Sequence, residues 1–308
     1  MHRFLLAALT LTACSDPAPP TRTTNAEQTP ETEAAETETG QPAEDEAEPH
    51  TPIPEPPLPE ATVVRITMAD GLELVGDLRQ GASPSAPLVV LVHQLSTTRA
   101  EWEPLLRRLG AAPALTTFAI DMRGHGESVT RRGRQIAWAD FETADWERVA
   151  DDIIAALGHL RSERGLTPSR VVLVGSSIGS SAVILAGARE ETVDAVVALS
   201  PGRAYRGVDT MGPMPGYRGH RAFLAVASRG EMESATTATA MATMAGSEAL
   251  LVDGDRHGVG MFESAPESLD AVARFIREQA ASGATGALPP LTERLQHEPT
   301  EPVAVERQ

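Results

Sequence analysis

"VVLVGSSIGS", residues 171–180, is an aliphatic run that breaks abruptly into glycines and serines. Two serines stand side by side, and their neighbours tell them apart. Gly175 and Gly179 lie two residues before and two after Ser177, whereas the same positions around Ser176 hold Val174 and Ile178. A Gly-x-Ser-x-Gly pattern marks a nucleophile elbow only where a buried strand enters it and a helix leaves it. The sharp turn crowds helix against strand and leaves no room for side chains at the two glycines. The context fits: "RVVLV" precedes and "IGSSAVILAGARE" follows. Ser177 is therefore the candidate nucleophile. The turn also sets a helix N-terminus beneath it, where the dipole and the N–H of Ile178 favour a developing oxyanion.

Outward from this stretch, short apolar runs alternate with longer helical patterns. The strand-like segments are "TVVRITM", "LELVGDL", "PLVVLVH", "TTFAIDM", "RVVLVGS", "DAVVALS", "AFLAVAS" and "EALLVDG". Helical patterns are read over Thr98–Leu109, Asp145–Arg164, Ile178–Glu190, Ser234–Ala245 and Ser268–Gln279. Val/Ile/Leu runs without alternation suit parallel strands buried on both faces, and the strand–helix alternation implies right-handed βαβ units. The first two strands, joined by the turn "ADG", read as a hairpin that adds an antiparallel edge. The expectation is an α/β fold with a mostly parallel eight-stranded sheet and helices on both faces. In the second helix, Thr143 is the expected N-cap and Gly165 the C-cap, with Val149, Ile153, Ala156, Leu157 and Leu160 on the buried stripe.

The ends read differently. "MHRFLLAALTLTACSD" carries one arginine and an apolar run too short to span a bilayer, which is the form of a secretory signal. Its end, Leu11-Thr12-Ala13-Cys14, resembles the lipobox of bacterial lipoproteins. The resemblance implies cleavage after residue 13, lipidation of Cys14 and anchoring to a membrane. Ser15 after the cysteine, in place of aspartate, favours the outer membrane of the cell envelope. Cys14 is the only cysteine, so no intramolecular disulfide or thiolate metal cluster can form. Residues 14–60 are rich in Pro, Thr, Ala and Glu and bury too little apolar surface to offset the entropy of ordering, so a disordered tether is expected. Residues 61–283 have globular composition and suit one domain; residues 284–308 read as a tail.

The formal net charge is −17, with much of the excess acid in the tether. That acidic brush argues against nucleic acid as a partner. All 26 basic residues are arginine, which excludes a Ser-Lys dyad or a lysine Schiff base. No paired metal-ligand spacing and no phosphate- or dinucleotide-binding fingerprint occurs, so neither metal nor cofactor is expected.

The domain resembles the α/β-hydrolase family across essentially residues 61–280. The elbow is joined by "LVVLVHQLSTTRAEW", similar to that family's first oxyanion loop, and by "FAIDMRGHGES", similar to its D-x-R-G-H-G-x-S turn. The family usually has His-Gly in the first loop; here it is His93-Gln94. The second oxyanion donor is thus open between the N–H groups of Gln94 and Leu95, with Leu95 favoured. The resemblance implies an α/β-hydrolase fold with the order nucleophile, acid, histidine. His2, His50 and His297 fall in the signal, tether and tail, His159 lies mid-helix, His220 precedes a strand, and the family marks the loops of His93 and His125 as structural. That leaves His257, in the glycine-flanked loop "DGDRHGVG", as the general base. The acid expected after "AFLAVAS" is Glu231, with Glu233 as the alternative.

Between "DAVVALS" and "AFLAVAS" only about twenty residues, "PGRAYRGVDTMGPMPGYRGHR", are available, too few for a large lid. An open site suits small or surface-presented esters. Met211, Met214, Met232 and Met261 either line an acyl pocket or fill the core; Arg203, Arg206, Arg218 and Arg221 either bind an anionic substrate or are solvated. The reading is a lipid-anchored serine hydrolase, a carboxylesterase acting through an acyl-enzyme at Ser177. The competing readings are a peptidase or acyltransferase on the same residues, and a catalytically inactive binding module. Oligomeric state leaves no mark in the sequence.

Overall fold

The computed structural model describes Leu58, residues 60–110 and residues 115–282. The expected signal, Cys14, the tether apart from Leu58 and Glu60, and the tail lie outside the described residues.

Among the described residues ten strands form: β1 (Thr62–Thr67), β2 (Glu73–Arg79), β3 (Leu88–Val92), β4 (Thr116–Asp121), β5 (Thr130–Arg131), β6 (Arg134–Gln135), β7 (Val171–Ser176), β8 (Ala195–Leu199), β9 (Ala222–Ser228) and β10 (Leu250–Val252). Eight of them build one sheet in the order β1-β2-β4-β3-β7-β8-β9-β10; β5 and β6 make a separate small hairpin that the apolar pattern does not signal. The β1–β2 and β2–β4 pairs are antiparallel and the remaining pairs parallel, so the hairpin edge and the parallel body are as the sequence reads.

The α-helices among the described residues are α1 (Glu103–Leu109), α2 (Thr143–Ser162), α3 (Ile178–Arg189), α4 (Met232–Ala245), α5 (Met261–Ser264) and α6 (Pro266–Ala281). Alternate residues of each strand point to opposite faces, and the core divides accordingly. Leu88, Val90 and Val92 of β3 pack with α2, α3 and α4 on one side. Val89 and Leu91 pack with α1, α5 and α6 on the other. Both faces of the sheet are thus covered, which is why these strands carry no polar alternation.

Several boundaries differ from the sequence reading. The segment from Thr98 opens as a 3₁₀ turn, Arg99–Trp102, before α1 begins, with Pro104 in its first turn. Helix α2 is capped by Glu142, not Thr143. Glu142 has extended backbone (φ −89°, ψ 171°) and forms a reciprocal capping box with Asp145, while the Thr143 hydroxyl donates to the Arg206 carbonyl at 3.0 Å. Gly165, at φ +65°, lies beyond the C-cap residue Glu163. Helices α4 and α6 start earlier than expected, at Met232 and Pro266, and β10 is only three residues long. Between β8 and β9 the chain makes two short 3₁₀ turns, Tyr205–Gly207 and Met214–Tyr217, and no lid domain.

Candidate active site

Because β7, β8, β9 and β10 are neighbours and parallel, their carboxyl ends share one edge of the sheet. Ser177, Ser200, Glu231 and His257 each follow one of these strands in turn. This edge is where open α/β sheets place their ligands.

Ser177 sits between β7 and α3 with φ 54° and ψ −119°, a conformation an L-residue reaches only under strain, at about 1 to 3 kcal/mol. Its own N–H is tied to the Leu199 carbonyl at 2.9 Å, and its carbonyl accepts the Ser180 hydroxyl at 2.5 Å. The flanking glycines are a steric necessity. A Cβ on Gly175 would lie 2.3 Å from the Gly179 carbonyl oxygen, and one on Gly179 would lie 2.3 Å from the Val92 carbonyl oxygen. The second contact brings the end of β3, and with it the His93-Gln94-Leu95 loop, against the first turn of α3. The Ser177 hydroxyl makes no hydrogen bond among the described residues; bonds between nucleophile and base in empty sites are often long and tighten with substrate.

Glu231 and His257 meet because their loops are laced together. Arg229 N–H donates to Val252 O at 2.8 Å, Gly230 N–H to Gly254 O at 2.8 Å, and the Ser228 hydroxyl to Arg256 O at 2.6 Å. His257 Nδ1 is hydrogen-bonded to Glu231 Oε1. The other ring nitrogen, Nε2, is thereby left as the working end of the imidazole. Burial acts to raise the Glu231 carboxyl, but hydrogen bonds from His257, Ser200 and Ser234 outweigh it and hold it below the ordinary glutamate value. The histidine side chain is 40% exposed and the carboxylate 19%, so the base is accessible and its partner sheltered. Glu233, the alternative acid, is exposed on the first turn of α4. Asp253 is solvated and pairs with Arg229 at 3.2 Å.

Two serines that sequence reasoning missed complete this arrangement. Ser200 Oγ donates to Glu231 Oε2 at 2.7 Å and accepts Gly258 N–H at 2.8 Å, so one buried hydroxyl joins the acid to the histidine loop. Ser234 Oγ donates to Glu231 Oε1 at 2.8 Å, and itself meets the Tyr205 hydroxyl at 3.0 Å. The Tyr205 ring stands edge-on to His257, 6.3 Å between centroids. The position after β8 carries no carboxylate; Ser200 there orients the carboxylate that β9 supplies. The only sequence signal was the serine immediately after the strand.

The loop after β3 is held on every side. His93 is fully buried; its Nε2 accepts Met122 N–H at 2.9 Å, which assigns the proton to Nδ1, the donor to Gln94 O at 2.7 Å. Burial drives its pKa down to about 4, so it is neutral and structural. Gln94 N–H donates to Glu101 Oε1 at 2.9 Å and is therefore engaged. Among the described residues Leu95 N–H has no acceptor. The Gln94 side chain accepts the Ser176 hydroxyl at 3.1 Å and lies directly over Gly258. Asp121 bolts this loop to the D-x-R-G-H-G turn by accepting the N–H groups of Arg99 and Glu127, each at 2.8 Å. His125 stacks on Trp138 at 5.6 Å and accordingly serves the turn's packing.

Of the methionines considered for a pocket, Met214 and Met261 are fully buried core residues, Met261 on the α1/α6 face of the sheet, while Met232 is 75% exposed. Arg206 is spread over the rings of Trp138 and Trp146, 5.7 Å from each centroid, and Arg221 lies over Tyr217. Among the described residues no group of three or more His, Cys, Asp or Glu is arranged to hold a metal ion. A hydroxyl on a strained elbow, an imidazole fixed by a carboxylate and an unengaged amide in the adjoining loop are the groups that nucleophilic attack at a carbonyl requires.

A model of the alpha/beta hydrolase family matches residues 89–305. The chain belongs to that family. The hydrolase is also similar in fold to solved structures at low identity. An esterase of Pyrococcus furiosus is 17% identical with a TM-score of 0.57, over 72% of this chain and 93% of the other. The Est1E protein of Butyrivibrio proteoclasticus, solved with ferulic acid, is 18% identical with a TM-score of 0.55, over 71% and 100%. A dienelactone hydrolase of Anabaena variabilis is 19% identical with a TM-score of 0.53, over 72% and 97%. Comparison with curated proteins gave no match. At these identities the structural likeness speaks for the fold alone.

Proposed function

We propose that this hydrolase is a serine carboxylesterase that works through an acyl-enzyme on Ser177. His257 is the general base for attack and the acid for departure of the leaving group; Glu231 fixes its tautomer and stabilises its charged form. The Ile178 and Leu95 N–H groups receive the oxyanion. The observation that carries this reading is the Glu231–His257 hydrogen bond at the same sheet edge as a serine with φ 54°. The absence of a lid domain between β8 and β9 supports small or surface-presented esters as substrates. The presence of an esterase and a dienelactone hydrolase among the structural neighbours agrees with ester chemistry.

The test is hydrolysis of p-nitrophenyl esters from acetyl to dodecanoyl, with a p-nitroanilide as the amide control. The proposal predicts turnover of the short esters, little of the anilide, and a fall in kcat of about 10⁴-fold or more in Ser177→Ala. Faster cleavage of the anilide than of any ester would move the assignment to a peptidase. Ester turnover unchanged in Ser177→Ala would remove it altogether.

The same reading places the enzyme on a membrane of the cell envelope through lipidated Cys14, the acidic segment serving as its tether. Full-length protein expressed in a bacterium should sediment with membranes, and Cys14→Ala should release it. Equal partitioning of the two would remove the anchor from the account.

A further inference from the structure

Glu101 precedes the end of the 3₁₀ turn that follows the oxyanion loop, and nothing in the reaction described above uses it. Its carboxylate is nevertheless the hub of that loop. Oε1 accepts Gln94 N–H at 2.9 Å, and Oε2 accepts the Thr97 hydroxyl at 2.6 Å. The same hydroxyl shares its one proton with Gln94 O at 2.9 Å, so Glu101 holds the N–H of Gln94 while Thr97 links Glu101 to its carbonyl. Between Gln94 and Thr97 the chain turns back on itself through Ser96, at φ 62°. A loop that bends through a left-handed non-glycine residue needs an external hold to keep one conformation. Glu101 and Thr97 supply it.

We propose that Glu101 is a positioning residue for the oxyanion hole: it consumes the Gln94 amide and fixes the following peptide, so that the Leu95 amide alone is presented beside the Ser177 elbow. Families with His-Gly in this loop have no side chain at the position of Gln94. Here the glutamine side chain reaches Ser176 Oγ at 3.1 Å, which ties the loop to the elbow from the other end. Both attachments of Gln94, backbone to Glu101 and side chain to Ser176, act on the residue immediately before Leu95. Burial raises the Glu101 carboxyl to about 7, against the pull of Thr97, Gln94 N–H and the neighbouring His257. Glu101 is thus a partly exposed acid, shifted by its surroundings, that stands close enough to His257 to feel its charge.

This inference rests on the serine-esterase reading, and the experiment separates the two. kcat and KM for p-nitrophenyl acetate are measured for wild type, Glu101→Ala, Glu101→Gln, Thr97→Val and Ser177→Ala, with circular dichroism and melting curves on each. Glu103→Ala, exposed one helical residue beyond the turn, serves as the surface control and leaves both constants unchanged. Glu101→Gln keeps an acceptor for Gln94 N–H and a partner for Thr97, whose hydroxyl then donates to Gln94 O alone.

The expected result is a fall in kcat of about 10- to 100-fold for Glu101→Ala with KM within about 3-fold of wild type, because a displaced donor harms the transition state more than the ground state. Glu101→Gln should recover to within about 5-fold of wild type, and Thr97→Val should fall between the two. A kcat for Glu101→Ala close to wild type, with Ser177→Ala inactive, overturns the inference and leaves the esterase reading standing. A Glu101→Gln variant as impaired as Glu101→Ala also overturns it, since hydrogen-bond positioning would then not be what the carboxylate does. If Glu101→Ala does not fold, the comparison of Glu101→Gln with Thr97→Val decides in the same way. Hydrolysis that survives Ser177→Ala overturns the esterase reading itself.

Discussion

Gly258 sits where three parts of the site converge, and a single methyl group there should disable it. The residue follows His257, has φ +57°, and donates its N–H to Ser200 Oγ. A Cβ at this position would fall 2.1 Å from Gln94 Oε1 and 2.3 Å from Ser176 Oγ. Gly258→Ala therefore incurs about 1 to 2 kcal/mol for the left-handed backbone and about 1 to 3 kcal/mol for overpacking, roughly 2 to 5 kcal/mol in all. For a domain of this size that corresponds to a drop in Tm of roughly 5 to 20 °C. If the chain relieves the overlap by moving the loop, His257 shifts from Glu231, and kcat falls as well. Gln94→Gly removes the nearer obstacle and frees the Ser176 hydroxyl from its acceptor, so the two substitutions should couple. The double variant should recover about 0.5 to 3 kcal/mol relative to the sum of the single changes. Urea denaturation of the four proteins in the cycle, with ester turnover on each, gives the number. Stability of Gly258→Ala within about 0.5 kcal/mol of wild type, or strict additivity with Gln94→Gly, would refute the packing described here.

Two further outcomes follow from the same geometry. Ser200→Ala removes the hydroxyl that bridges Glu231 Oε2 and Gly258 N–H, and should lower kcat/KM about 5- to 100-fold, the equivalent of about 1 to 3 kcal/mol, chiefly through kcat. An unchanged kcat would remove Ser200 from the site. The pH dependence of stability has a worked sign. His93, lowered from 6.5 to about 4 by burial, contributes stability that is present above pH 6.5 and lost as pH falls toward 4. Glu101, raised from 4.5 to about 7 by burial, contributes in the opposite sense, stability present below pH 4.5 and lost as pH rises through 7. Glu101→Gln deletes only the second, so relative to wild type it should gain up to about 3 kcal/mol between pH 4.5 and pH 8. Urea melts at those two pH values that differ equally for both proteins would contradict the assignment.

Much of the geometry of this candidate site was legible in the sequence because its first requirements are local. The spacing of Gly175 and Gly179 around Ser177 encodes a steric condition that the structure meets, with carbonyl oxygens where side chains would go. The unbroken aliphatic runs of β3, β7 and β8 encode strands covered on both faces. What was not legible depends on contacts between distant residues. Gln94 meets Ser176 across 82 positions, and Ser200 meets Gly258 across 58, and neither pairing leaves a periodic or spacing signature. The grip of Glu101 on Gln94 spans only 7 positions, yet it depends on a 3₁₀ turn where an ordinary helix was expected. The cap of α2 moved from Thr143 to Glu142 for a related reason. The threonine hydroxyl is taken by the Arg206 carbonyl, 63 residues away, and the residue before it has the extended backbone that a cap needs. Residue type alone favours threonine at a cap; tertiary demand assigned its hydroxyl elsewhere.

The most direct test of the central claim is covalent labelling with a fluorophosphonate, followed by mass mapping of the modified peptide. A phosphonylated elbow peptide with the adduct on Ser177, lost in Ser177→Ala and kept in Ser176→Ala, is the predicted result. An adduct on Ser176, an adduct that persists in Ser177→Ala, or a wild-type protein that remains unlabelled would contradict the account.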